Sequence, residues 1–302
     1  MQIIKETHID FIGKSKITIA ISLILILAGI ISLIIQGGPK LGIDFSGGTS
    51  LQLRFEKPIK ISEIRNVLTG INLGDVEIKE FATRNEVLIR IAQQHTSENI
   101  SQKVINELAL KLADNKLEVR MNEDVGPRIG SELRRATIWA ILISLVLLLI
   151  YISYRFEFKF ALGAIIALFH DVMVTLSFFS WLKLDISLDV IAAFLTIIGY
   201  SLNDTIVIFD RVRENLKILR REEYINIFNI SINQTLGRTI LTSLTVFIVV
   251  IILFFFGGEV IHNFSFAMVV GVIAGTYSTV FIASPIVIAW HLRKENAKRI
   301  GR

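Results

Sequence analysis

The chain has 302 residues, 52% of them hydrophobic and 20% charged, with a net charge of +5, four prolines and no cysteine. That balance excludes an ordinary soluble enzyme and describes a multi-spanning membrane protein with one modest water-soluble insert. It also excludes disulfides and thiolate metal sites, and the basic excess gathers beside the predicted spans, where it reports topology and not nucleic-acid binding.

In chain order, residues 1–16 read as a cytoplasmic N-terminus bearing Lys5, Lys14 and Lys16. Gly13-Lys14-Ser15 resembles the end of a phosphate-binding loop, but His8 stands where that loop needs its first glycine and no strand leads in, so no nucleotide site is expected. Residues 17–36 form a charge-free first span. It is longer than the apolar core of a secretory signal and Ile34-Ile35-Gln36 is no cleavage site, so it reads as a retained anchor.

Residues 37–135 make up the insert. Residues 49–55 alternate at period two, 61–71 read as a short helix, and 76–82 with 86–92 as a hairpin across Thr83-Arg84-Asn85. Residues 98–113 carry Ile100, Val104, Leu108 and Leu112 at helical spacing, and 116–121 close as a strand. This β-α-β-β-α-β order is that of the ferredoxin-like fold, which predicts no function by itself.

Five further spans follow at 136–153, 160–181, 190–209, 239–256 and 264–290, then a basic tail at 291–302. The predicted fold class is an α-helical polytopic membrane protein of six transmembrane helices, with a small α+β ferredoxin-like periplasmic domain between helices one and two. Arg155 and Lys159, then Arg211, Arg213, Lys217, Arg220, Arg221 and Arg238, then Arg293, Lys294, Lys298, Arg299 and Arg302 share the side of Lys5, Lys14 and Lys16, which places both termini in the cytoplasm. Between spans four and five, residues 210–238 are a charged segment that reads as a plain linker helix, the alternative being that its second half, from Tyr224 to Ile232, lies amphipathically along the inner surface. In span six, Gly271 and Gly275 have the G-x-x-x-G spacing that lets helices approach closely, and read as packing.

The leading functional residue is Asp204, in Gly199-Tyr200-Ser201-Leu202-Asn203-Asp204 of span four. An aspartate at the centre of a spanning helix costs roughly 2.5 to 3.5 kcal/mol, and such residues usually face a bundle interior where they move ions or protons. Asn203 and Tyr200 flank it, and the cytoplasmic boundary at Asp210 is about 9 Å away at 1.5 Å per residue. The functional reading is a carboxyl that accepts and releases a proton as water access alternates; the bland one is a neutral acid hydrogen-bonded for packing. Arg238, opening span five from the same side, reads equally as a counter-charge to Asp204 and as an ordinary positive-inside anchor.

His170 and Asp171, near the middle of span three, form a secondary candidate pair. Two ligands do not make a metal site, and a polar contact to another helix is as good a reading as a proton relay. The remaining histidines, His8, His95, His262 and His291, make no ligand cluster. Gly199-Tyr200-Ser201 raises an intramembrane serine protease, but span six offers no histidine base. No catalytic residue, cofactor or metal is predicted.

Several segments together resemble the SecF family of bacterial protein-export subunits, within the resistance-nodulation-division superfamily: Gly42-Ile43-Asp44-Phe45-Ser46-Gly47-Gly48, Val125-Gly126-Pro127, Arg155-Phe156-Glu157-Phe158, Ile198 to Thr205 with Phe209-Asp210-Arg211, and Asn233-Gln234-Thr235 with Arg238-Thr239. The resemblance implies an obligate partnership with SecD, each subunit giving six spans and an outer domain. It also implies action on a preprotein emerging from the SecYEG channel, in the lipid of the cytoplasmic (inner) membrane, driven by a proton or sodium gradient with no nucleotide hydrolysis. Asp204 becomes the membrane aspartate and Arg238 the essential arginine. Gly42, Asp44, Gly47 and Gly48 with Gly126 and Pro127 are then either a joint for the outer domain or a tight turn that starts the first strand. The competing expectation is one half of an ion-coupled small-molecule transporter, against which the small insert argues.

Overall fold

The computed structural model describes residues 7–71, 73, 76–80, 85–92 and 100–300. Lys5, the turn residues Thr83 and Arg84, His95 and Arg302 lie outside the described residues. The chain divides into two compact units, Met1–Lys40 with Ala140–Arg302, and Leu41–Trp139.

The second unit begins with a single helical turn α2 (Ile43–Ser46), whose first turn holds Asp44. Strand β1 (Gly48–Phe55) follows, then α3 (Ile61–Thr69), β2 (Val76–Glu80), β3 (Glu86–Ala92), α4 (Ile100–Lys111) and β4 (Leu117–Val125). The strands form one antiparallel sheet in the order β2-β3-β1-β4. Period-two burial of Leu51, Leu53 and Phe55 on β1 and of Val87, Ile89 and Ile91 on β3 meets helical stripes Ile64, Val67, Leu68 and Val104, Leu108 in one core. Strand β4 runs four residues past the expected Met121, because Asn122-Glu123-Asp124 still pair with β1 and Thr49 Oγ1 donates to Asp124 Oδ1 at 2.5 Å. A bulge opposite Gln52 and Leu53 lets this longer strand hold its register.

Gly47 and Gly48 take φ of 77° and 141°, and a Cβ on Gly48 would lie 2.5 Å from the Ile91 carbonyl oxygen. Glycine is therefore required here both by the backbone and by the close approach of β3. Pro127 opens the next helix at its first position, where its missing N–H costs nothing.

The first unit holds α1 (Ser15–Ile35) and, after α5 (Pro127–Arg155), helices α6 (Phe158–Leu182), α7 (Leu188–Ile218), α8 (Tyr224–Phe256), α9 (His262–Ser278) and α10 (Ser284–Ile300), the last two joined by a π-helical turn at Thr279–Ala283. Among the described residues, six helical spans are long and apolar enough to cross a membrane. Helices α6, α7 and α9 are the most buried and form the centre, while α1, α5 and α8 leave much of their apolar surface exposed.

One expectation changes. The segment 210–238 is no separate linker helix: α7 runs on to Ile218 and α8 starts at Tyr224, because its buried positions, Val212, Asn215, Ile227, Phe228, Ser231 and Ile232, continue the helical stripes of both spans. Asn215 Nδ2 closes this hairpin onto Ser231 Oγ at 2.9 Å and Gln234 Oε1 at 2.8 Å. Span six, read as 264–290, contains the π turn, where Ser284 Oγ donates to the Thr279 carbonyl at 3.0 Å.

Asn229 and Asn233 of α8 clamp the N-terminal segment. Asn233 Oδ1 accepts from Thr7 Oγ1 at 2.7 Å and Ile9 N at 3.0 Å, while Asn229 Oδ1 accepts from Phe11 N and Ile12 N, each at 3.0 Å. Asp10 completes the clamp by accepting from Gly13 N and Asn229 Nδ2, and these two donors, in that order, hold its carboxyl below the ordinary 3.8. The carboxylate is favoured in the docked state, so this contact is complete above the ordinary carboxylate range and is lost only as pH falls through the lowered value. Asn229→Ala is expected to lower the hydrogen-exchange protection factors of the Phe11 and Ile12 amides at neutral pH, and acidification below the ordinary range to lower the protection factor of the Gly13 amide in the unaltered chain.

Close approach of α7 and α9 supplies a second prediction. A Cβ on Gly271 would lie 2.2 Å from Ile197 Cδ1, and one on Gly275 2.9 Å from Ser201 Cβ. Gly271→Val should destabilise the bundle by about 1–3 kcal/mol through overpacking, with partial recovery in Gly271→Val/Ile197→Ala, measured by denaturation in mixed micelles.

Candidate functional site

The buried stripe of α7 passes through Val190, Ala193, Phe194, Ile197, Ile198, Ser201, Leu202, Asp204, Thr205, Ile208 and Phe209. Asp204 occupies a core slot of that stripe and is 1% exposed. Its neighbour Asn203 falls on the opposite, exposed face, and Tyr200 is half-buried with its hydroxyl inside, beside Ser243 and Thr276.

The partners of Asp204 come from α8. Thr242 Oγ1 lies 3.4 Å from Oδ1 and Ser243 Oγ 3.3 Å from Oδ2. Each hydroxyl has one hydrogen to give, and each has a shorter alternative: Thr242 to the carbonyls of Arg238 and Thr239 at 3.0 and 2.9 Å, Ser243 to Thr276 Oγ1 of α9 at 2.8 Å. Asp204 is thus surrounded by hydroxyls that can either donate to a carboxylate or accept from a carboxylic acid without moving far. Among the described residues no ion pair joins it to Arg238, whose side chain is exposed one turn before Thr242 and acts on Asp204 through space.

The second acid is more deeply held. Asp171 is 0% exposed; its Oδ2 accepts from Ser201 Oγ of α7 at 2.6 Å and Ser278 Oγ of α9 at 2.9 Å, and Oδ1 lies 3.0 Å from His170 Nδ1. The His170 ring stacks on Tyr277, whose hydroxyl donates to the Thr18 carbonyl of α1 at 2.6 Å. Just beyond Ser278, Thr205 Oγ1 and Thr279 Oγ1 meet at 3.0 Å where the π turn begins. Such turns interrupt α-helices frequently at functional sites.

Of the residues predicted from sequence, the structure brings Asp204 and Tyr200 to the bundle interior and joins His170 to Asp171. It leaves Asn203 and Arg238 on exposed faces. Sequence reasoning missed the hydroxyls: Ser201, Thr242, Ser243, Thr276 and Ser278. Only Ser201 carried a legible signal, one turn before Asp204 on the same stripe. No group of three or more potential metal-ligating side chains occurs among the described residues.

Residues 105–293 match the family described as protein export membrane protein SecD/SecF, C-terminal, and residues 32–59 match the SecD/SecF GG motif. A protein translocase subunit SecF from Thermodesulfovibrio yellowstonii is 44% identical over 95% of this chain and 96% of its own length. One from Magnetococcus marinus is 46% identical over 94% and 93% respectively. Among solved structures, that of SecDF from Thermus thermophilus, a translocon-associated membrane protein, superposes with a TM-score of 0.85 at 36% identity over 95% of this chain. The chain spans about two fifths of that protein's length, covering 39% of it.

The hydroxyls around Asp171 are expected to matter energetically. Ser201→Ala and Ser278→Ala each remove one donor to Oδ2 and should cost about 1–3 kcal/mol, measured by denaturation in mixed micelles, whereas alanine at the exposed Asn203 should change little.

Proposed function

Because this chain belongs to the SecD/SecF family of protein-export membrane proteins, we propose that it is the auxiliary subunit of the Sec protein translocase that, together with SecD, converts an ion gradient into assistance for polypeptides crossing the membrane. It is a multi-pass membrane protein, and its association with SecD is supported by the likeness to SecDF chains that carry both halves. The SecYEG channel and the translocating preprotein are the further partners in this reading. The bacterial cytoplasmic (inner) membrane is its location, with both termini inside, and the ferredoxin-like domain stands on the outer side.

The observation that carries ion coupling is Asp204 itself: a carboxyl buried in the bundle with no cation in contact, held by Thr242 and Ser243 at 3.4 and 3.3 Å. An ionised acid there costs several kcal/mol relative to a neutral or paired one. Protonation therefore changes which hydroxyls of α8 and α9 it engages, and so changes how α7 packs against both helices. Arg238, near but not bonded, is the charge toward which an ionised Asp204 would turn. One proton crossing 100 mV releases about 2.3 kcal/mol, enough to bias a two-state rearrangement roughly fifty-fold.

The alternative of a small-molecule transporter half is not favoured, since relatives matching nearly the whole chain are named translocase subunits.

The test is export of a secreted precursor in cells whose only copy of this chain, with its matching SecD, carries Asp204→Asn. With insertion and SecD binding shown to be normal, precursor is expected to accumulate while drug sensitivity stays unchanged. Normal export in that strain would reduce Asp204 to a packing group.

A further inference from the structure

Ion coupling at Asp204 leaves the deeper acid unused. His170 and Asp171 are 6% and 0% exposed. The groups facing them are few: Ser201 on α7, with Asp204 one turn on and directed to α8; Ser278 and Tyr277 on α9; and Thr18 and Ser22 on α1, whose one charged residue, Lys16, is exposed. Among the described residues no lysine or arginine bonds to the Asp171 carboxyl. The carboxyl is fully occupied by His170, Ser201 and Ser278, while His170 Nε2 is buried with no hydrogen-bond partner in the protein.

Proton counting gives that unpartnered atom a meaning. In its loaded state a buried pair in hydrocarbon is neutral overall, and the emptied pair, with one net negative charge, is the costlier form. A neutral pair is either carboxylic acid with imidazole, the acid donating to Nδ1, or carboxylate with imidazolium. In both forms Nε2 carries a hydrogen, and that hydrogen has no protein acceptor. Water is the remaining acceptor for a buried polar group of this kind.

We propose that His170 and Asp171 form a second proton-exchange site, separate from Asp204, loaded and emptied by water at His170 Nε2. In the emptied state the imidazole Nδ1–H donates to the Asp171 carboxylate and the Nε2 lone pair is free. A hydronium ion transfers its proton to Nε2 and leaves as water, the Nδ1 proton passes to Asp171 Oδ1, and the pair goes from one net negative charge to none. Release runs the same bonds in reverse. Because Asp171 bonds to α7 and α9 while Asp204 reaches α9 through Ser243 and Thr276, the two sites act on the same helix seam from opposite sides.

The experiment is acid-minus-alkaline infrared difference spectroscopy of the chain assembled with SecD in lipid vesicles, reading the carbonyl stretch of protonated carboxyls. The Asp204→Asn complex should keep a pH-dependent carboxyl band that is lost in Asp204→Asn/Asp171→Asn. His170→Gln in the Asp204→Asn background should abolish the pH response of that band. Spectra of the Asp204→Asn complex that Asp171→Asn leaves unchanged, or a pH response that His170→Gln leaves unchanged, overturn the proposal. If Asp171→Asn blocks assembly with SecD, the His170→Gln comparison decides alone. Precursor export by Asp204→Asn is scored separately, so failure of the export reading and failure of this site are distinguishable.

Discussion

Two carboxyls buried in an apolar helix bundle, with no lysine or arginine bonded to either, are the constraint around which this structure is arranged. Hydrocarbon supplies no water to solvate them, so the protein must bring hydroxyls to them from neighbouring helices. That demand explains why the centre of the bundle carries Ser201, Ser243 and Ser278 where an ordinary core would place leucine or valine. It also explains why the helices that supply them sit so close together.

Closeness is obtained with small residues. Gly271 and Gly275 let α9 approach α7 until a Cβ on either would collide with Ile197 or Ser201, and Gly29 does the same for α1 against Ser177 of α6. The G-x-x-x-G spacing is thus a packing device, and it is what brings Ser278 and Ser201 together onto one oxygen of Asp171. The π turn starts at the next residue, Thr279, and rotates the end of span six relative to its beginning. A bundle held in this way gives each acid more than one hydroxyl partner, Thr242 and Ser243 at Asp204 and Ser201 and Ser278 at Asp171.

The unit Leu41–Trp139 follows a simpler logic. Its sheet and two helices share one core built from period-two and helical stripes, and its element order was readable from those stripes alone. Where the reading stopped short, at the end of β4, the cause was polar pairing: Asp124 belongs to the strand because Thr49 and Ser101 both donate to it. A hydrophobic pattern carries no trace of such a pairing.

The amino-acid sequence by itself determined the six apolar spans, the order of elements in the insert, and Asp204 as the residue whose burial needs a reason. These are properties of local composition and periodicity, and the cost of a carboxylate in oil is the same whichever helix lies beside it. Tertiary structure decided the rest. That Asn203 faces outward while Asp204 faces inward follows from the helical period only once the buried side of α7 is known. That Arg238 stands apart from Asp204, that Thr242 and Ser243 take its place, and that His170 and Asp171 form the more enclosed pair depend on the register of α8 and α9 against α6 and α7. Register between helices in a bundle is set by contacts distant in sequence, such as Gly271 on Ile197, and a single chain read from end to end holds no local signal for it.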